Sequence, residues 1–125
     1  MNSKPTILIA EDNGLIGEHL LKYLQNQKIE VLCTVATLSD TQKFIEEKQP
    51  DIILLNIKLL DAKVTESFIE YLKSIFDIPV VILTGYQRRM IPNTFFEFEQ
   101  VYFLQKPFSN YQLKTVLQNA LNLQL

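Results

Sequence analysis

The sequence predicts a three-layer, doubly wound α/β sandwich built on five parallel strands in the order 2-1-3-4-5. Three observations carry that expectation. The runs Ile7-Leu8-Ile9-Ala10, Ile52-Ile53-Leu54-Leu55 and Val80-Val81-Ile82-Leu83 are continuously apolar, as strands covered on both faces must be. Apolar residues at helical spacing fill the gaps, so strand and helix alternate five times along the chain. Right-handed crossovers then make 2-1-3-4-5 the natural order for five parallel strands.

Taken in order, the first strand is Ile7 to Ala10, and Leu15, Ile16, Leu20 and Leu24 form the apolar stripe of the helix after it. The polar run Gln25-Asn26-Gln27-Lys28 ends that helix before a second strand, Ile29 to Val35. Ser39 with Gln42 three residues on has the form of a capping box opening a helix through Phe44 and Ile45, which ends near Gln49-Pro50. After the third strand, Val64, Phe68, Leu72 and Ile75 recur at helical spacing and stop before Asp77-Ile78-Pro79. The fourth strand is Val80 to Leu83. In the stretch from Tyr86 to Gln100, Pro92 removes a backbone donor and crowds the preceding turn, which predicts an irregular or late-starting helix. The fifth strand is Val101 to Gln105. Ser109 and Gln112 repeat the capping-box spacing, and Leu113, Val116, Leu117, Ala120 and Leu121 give the last helix its buried face.

Length and composition bound the function. A chain of 125 residues is expected to form one domain over residues 1–125, with a core from about Thr6 to Leu123 and no output domain. With 47% hydrophobic and 21% charged residues, neither disorder nor a fibrous repeat is favoured. The net charge of −2 and the lack of a dense Lys/Arg run give no electrostatic footprint for nucleic acid. No apolar stretch reaches the ~20 residues that span a bilayer, and no signal-peptide pattern opens the chain, so a cytoplasmic location is expected. Cys33, the single cysteine, sits in the apolar run Val31-Leu32-Cys33-Thr34-Val35 and is read as a core residue. His19 has no second His or Cys to make a metal set with, and is read as a surface or partly buried helix residue.

The strand-like runs end on polar residues. Glu11-Asp12 closes the first, Asn56 the third, Thr84 the fourth and Lys106-Pro107 the fifth. An open parallel sheet builds its binding crevice at that carboxyl edge. Asp12 and Asn56 are 44 positions apart, Asn56 and Thr84 28, and Thr84 and Lys106 22. With Thr84-Gly85 and Lys106-Pro107-Phe108 in place, the chain from about Thr6 to Leu123 resembles the receiver domain of bacterial two-component response regulators, of the chemotaxis-regulator-like kind and with the flavodoxin-like fold.

That resemblance implies roles residue by residue. Glu11 and Asp12 would be metal-side acids for Mg²⁺, joined by Asn56 and by the backbone carbonyl of Lys58. Asn56 stands at the position that attacks a phosphoryl group supplied by a sensor histidine kinase or phosphotransfer protein. Thr84 would hydrogen-bond a phosphoryl oxygen and Lys106 would pair with it, which suits a transfer that spreads negative charge over oxygens. Phe103 matches the aromatic position whose rotation accompanies activation. Tyr102, Phe103 and Tyr111 fall on the face around the fourth helix, fifth strand and last helix through which receivers dimerise or bind a downstream signalling protein; Phe95, Phe96 and Phe98 lie in the same aromatic-rich stretch.

Asn56 departs from the family pattern. A carboxamide is uncharged and a poor nucleophile, so no acyl phosphate is expected there, and the pocket charge of Glu11, Asp12 and Lys106 sums to about −1 where an Asp would make it about −2. Mg²⁺ affinity should fall accordingly. The Asn56 amide is expected to donate to Asp12 and to relieve the repulsion that a third carboxylate would bring. Two further departures are Leu60, where the family often has proline, and the bulky Tyr86 after Gly85. The chain is therefore expected to be a non-enzymatic signalling module, either a natural pseudo-receiver or an ordinary receiver whose acceptor has been substituted. The alternative is a flavodoxin-like cofactor-binding or small enzymatic domain. The acidic, nearly glycine-free turn Glu11-Asp12-Asn13-Gly14 argues against a phosphate cradle.

Overall fold

In the computed structural model, residues 4–56, 62–75, 77–85 and 99–122 are described. Along them run β1 (Thr6–Glu11), α1 (Gly14–Gln25), β2 (Glu30–Val35), α2 (Leu38–Glu47), β3 (Ile52–Asn56), α3 (Ala62–Ile75), β4 (Val80–Thr84), β5 (Val101–Gln105) and α4 (Asn110–Leu121). The five strands form one parallel sheet in the order β2-β1-β3-β4-β5. The stretch from Tyr86 to Phe98, for which an irregular helix is expected, lies outside the described residues, as do Lys58 and Leu60.

The continuous apolar runs become strands because both of their faces are covered. Alternation along the pleat sends Ile7, Ile9, Ile52, Leu54, Val81 and Leu83 to one layer, where Leu20 and Leu24 of α1 and Leu113 and Leu117 of α4 meet them. Leu8, Ala10, Ile53, Leu55, Val80 and Ile82 face the other way, onto Ile45 of α2 and Phe68, Ile69 and Leu72 of α3. The edge strands β2 and β5 are only half-buried. The centre of the sheet is therefore rigid, and whatever stands at the carboxyl ends of β1, β3 and β4 is held by a packed core on both sides.

Two elements differ in detail from the sequence expectation. On α1 the buried residues are Gly17, Leu20 and Leu24, whereas Leu15 is 79% exposed and Ile16 43%. Those two lie in the first turn, where the helix has only just left the carboxyl edge of the sheet, and the stripe begins one turn later. On α2 the cap is Thr37, not Ser39. The Thr37 hydroxyl accepts from Asp40 N–H at 3.0 Å, and its carbonyl takes the hydroxyl of the fully buried Thr41 at 2.7 Å. Leu38, the first residue of the helix, packs against the α2–α3 layer.

The other helix ends follow the residues that signal them. The Ser109 hydroxyl accepts from Gln112 N–H at 3.1 Å while the Gln112 carboxamide accepts from Ser109 N–H at 2.8 Å, closing the capping box of α4. Beyond α3, Asp77 takes a left-handed conformation, φ 54°, and donates its N–H to Leu72 at 2.8 Å. The Tyr23 hydroxyl donates to the Asn110 carbonyl at 3.1 Å and ties α1 to the start of α4. No helix among the described residues is long and apolar enough to cross a membrane.

Candidate functional site

Four polar side chains are buried among the described residues: Glu11, Thr41, Asn56 and Thr84. Thr41 is accounted for by its bond to Thr37. The other three stand at the carboxyl ends of β1, β3 and β4, where desolvating a polar group is costly unless neighbours satisfy it. Their burial defines the site.

Register and pleat set its geometry. Glu11 and Asn56 are direct partners across β1 and β3. Glu11 follows Ile7 and Ile9 on one face of its strand, and Asn56 follows Ile52 and Leu54 on the same face, so the two side chains meet beneath α1. The Asn56 side-chain nitrogen donates to Glu11 Oε1. Glu11 Oε2 accepts from Asn13 N–H at 3.0 Å. Asn13 is in turn the cap of α1, its Oδ1 accepting from Leu15 N–H at 3.0 Å and Ile16 N–H at 3.1 Å. The expected partner of Asn56 was Asp12; the structure assigns it to Glu11. Asp12 is one residue further along, past the end of the strand, and its side chain is exposed.

The electrostatics follow from that burial. Glu11, 6% exposed, has its carboxyl pushed above the usual 4.5, first by burial, with the carboxylate of the neighbouring Asp12 acting in the same direction. The Asn13 N–H, the Asn56 amide and the charge of Lys106 pull it back down. Lys106 follows β5 directly, at the same carboxyl edge of the sheet. Its backbone N–H donates to the Thr84 carbonyl at 2.7 Å, which fixes the start of the loop after β5 to the end of β4. Acid, amide, hydroxyl and ammonium therefore gather at one edge of the sheet. Lys58, expected to offer a carbonyl, lies outside the described residues.

The three aromatics expected on a partner face divide among different surroundings. Phe103 packs on the α2–α3 layer and Tyr102 on the α1–α4 layer, because adjacent residues of a strand point to opposite faces. Tyr111, in the first turn of α4, is 78% exposed. Two contributors to the site escape a motif search. Asn13 enters through its backbone, and Gly17 lies over the acid, where a Cβ would meet Glu11 Cγ at an ordinary contact distance of 3.5 Å.

A family model described as the response regulator receiver domain matches residues 7–118. The chain belongs to the response regulator receiver domain family, a regulatory class of two-component signalling. It is 29% identical over 116 residues to the phyllosphere-induced regulator PhyR of Methylorubrum extorquens, covering 92% of this chain and 43% of that protein. The chain thus spans less than half the length of the curated relatives it matches. Among solved structures it is similar to the receiver domain of Erythrobacter litoralis PhyR, with 27% identity, 98% of this chain and 93% of that one covered, and a TM-score of 0.73. It is also similar to SdrG of Pseudomonas melonis Fr1 in its BeF₃-activated conformation, with 27% identity, coverage of 97% and 99%, and a TM-score of 0.77.

Receiver domains generally bind Mg²⁺ at their acidic pocket. The residues here fit that ion poorly. Mg²⁺ requires oxygen donors in near-ideal octahedral geometry; here the charge of Glu11 is shared with two N–H donors of the protein, and the uncharged Asn56 turns its nitrogen toward the acid. A nitrogen bearing hydrogens cannot ligate a cation.

Proposed function

We propose that this chain is a cytoplasmic, non-enzymatic receiver module that acts by binding protein partners and takes no phosphoryl group at Asn56. The observation that carries this is the bond from the Asn56 amide to Glu11 at the buried end of β3, where the family's attacking carboxylate would stand. The amide lone pair is delocalised, and its nitrogen is committed as a donor, so no nucleophilic oxygen anion is available at that point. Thr84 ends β4 and Lys106 follows β5, the strand ends from which the family's phosphoryl-binding hydroxyl and ammonium would come. Partners are a sensor histidine kinase or phosphotransfer protein on one side and a downstream signalling protein on the other. A partner that prefers one of two conformers would shift the population without covalent change.

The cofactor-binding alternative has less support, because the N–H of Asn13, in the turn after β1, is spent on the Glu11 carboxylate and not directed at a phosphate. The test is intact mass after incubation with acetyl phosphate and MgCl₂, for this chain and for Asn56→Asp. The reading requires one added phosphoryl group in the Asp form only. Addition to the unaltered chain would refute it.

A further inference from the structure

Counting charges explains a weakened cation site by the one negative charge that Asn56 lacks. The geometry contains a second effect that charge counting does not. Glu11 Oε1 is taken by the Asn56 amide and Oε2 by Asn13 N–H, and Asn13 continues the chain of bonds into the first turn of α1 through Leu15 N–H and Ile16 N–H. The acid is buried, and each of its oxygens accepts one donor of the protein's own. A cation approaching Glu11 would compete with charge-assisted hydrogen bonds for the negative charge of both oxygens.

We propose that the Asn56 amide is a built-in replacement for the divalent cation, competing with it for Glu11 and linking the ends of β1 and β3 to the start of α1 with no metal present. The proposal rests on the reading of the chain as a receiver with an amide at its acceptor position, and it deepens that reading by assigning the amide a task. Asn56 thereby becomes a positioning residue for α1, whose first turn carries the exposed Leu15 and Ile16.

Replacing Asn56 with alanine separates the two effects. Asn56→Ala leaves the pocket charge unchanged and removes the donor from Glu11. If only charge mattered, Mg²⁺ would bind the parent and Asn56→Ala equally. If the amide competes, the alanine form binds more tightly by ~3- to 10-fold, even though it offers one oxygen fewer, because the amide no longer competes for the charge of Glu11. Mg²⁺ affinity would be measured by calorimetry on the parent, Asn56→Ala and Asn56→Asp, alongside the NMR shifts of the Leu15 and Ile16 amides. The expected order is parent weakest, alanine intermediate, aspartate tightest, with the Leu15 and Ile16 amides of the parent unmoved by Mg²⁺ concentrations that shift them in Asn56→Ala. Equal or weaker binding by Asn56→Ala overturns the proposal. Should the alanine form not fold, Asn56→Val, which also lacks the donor and suits a strand, takes its place under the same criterion. Phosphoryl uptake by the parent would refute the functional reading and leave this affinity order intact, so the two failures are distinguishable.

Discussion

Restoring a carboxylate at position 56 should destabilise the metal-free protein, and the structure sets the scale. Asn56 and Glu11 are 5% and 6% exposed and joined by a hydrogen bond to a charged acceptor. Losing such a bond removes about 1.5–3 kcal/mol. The new carboxylate would also face Glu11 at close range, and at an effective dielectric of about 20 two like charges ~4 Å apart repel by about 4 kcal/mol. Proton uptake by the pair and the nearby Lys106 ammonium limit that repulsion. A net loss of about 2–4 kcal/mol at neutral pH is expected, or a Tm lower by about 8–16 °C for a domain of this length. The sign with pH is fixed, since repulsion raises the folded-state pKa of the pair above its unfolded values. The deficit is therefore full at pH 7 and shrinks as the pH falls, when one acid takes up a proton. Urea and thermal unfolding in EDTA between pH 5 and 8 would read it. An Asn56→Asp form as stable as the parent at pH 7, or a deficit that grows toward pH 5, would refute the reasoning.

Other expectations follow from the same contacts. Glu11 has a folded pKa raised above 4.5, so the stability it contributes is fully present below that pH and is lost as the pH rises through the folded value; unfolding free energies of the parent measured against Glu11→Gln should show this decline, and a flat difference would count against it. Gly17→Ala places a Cβ at ordinary contact distance from Glu11 Cγ and removes a helix-interior glycine, so chemical denaturation should find about 0.5–1 kcal/mol of added stability. Ser109→Ala opens the capping box of α4 and should cost about 1 kcal/mol in the same assay. Leu54→Ala, at a fully buried site in the centre of the sheet, should cost about 2–5 kcal/mol.

The strands were legible because double-sided burial leaves a continuous apolar run that few other structures require, and β1, β3 and β4 all show one. The polar residues ending those runs marked the site for the same reason: a buried polar side chain at the end of an apolar run demands a purpose. Which of two consecutive acids turns inward was harder. Asp12 and Glu11 are equivalent as composition, and only strand parity separates them, since Glu11 shares a face with Ile7 and Ile9 as Asn56 does with Ile52 and Leu54. Applied to the sequence, that parity would have paired Asn56 with Glu11. The exposure of Leu15 and Ile16 was not legible, because a helical period gives the angle of a stripe and not where the helix first reaches the layer beneath it. Thr37 displaced Ser39 as cap through a tertiary fact, the burial of Thr41 and the packing of Leu38, that local spacing does not encode.

The Asn56 nitrogen, bonded to Glu11, closes the pocket with the protein's own amide. NMR of the Asn56 side-chain NH₂ in metal-free solution tests it most directly. The account predicts one proton of the pair shifted downfield and slow to exchange with water, and the loss of both properties as pH falls through the Glu11 pKa. An Asn56 amide that exchanges as fast as the exposed Asn119 amide, at a pH where Glu11 is ionised, would contradict it.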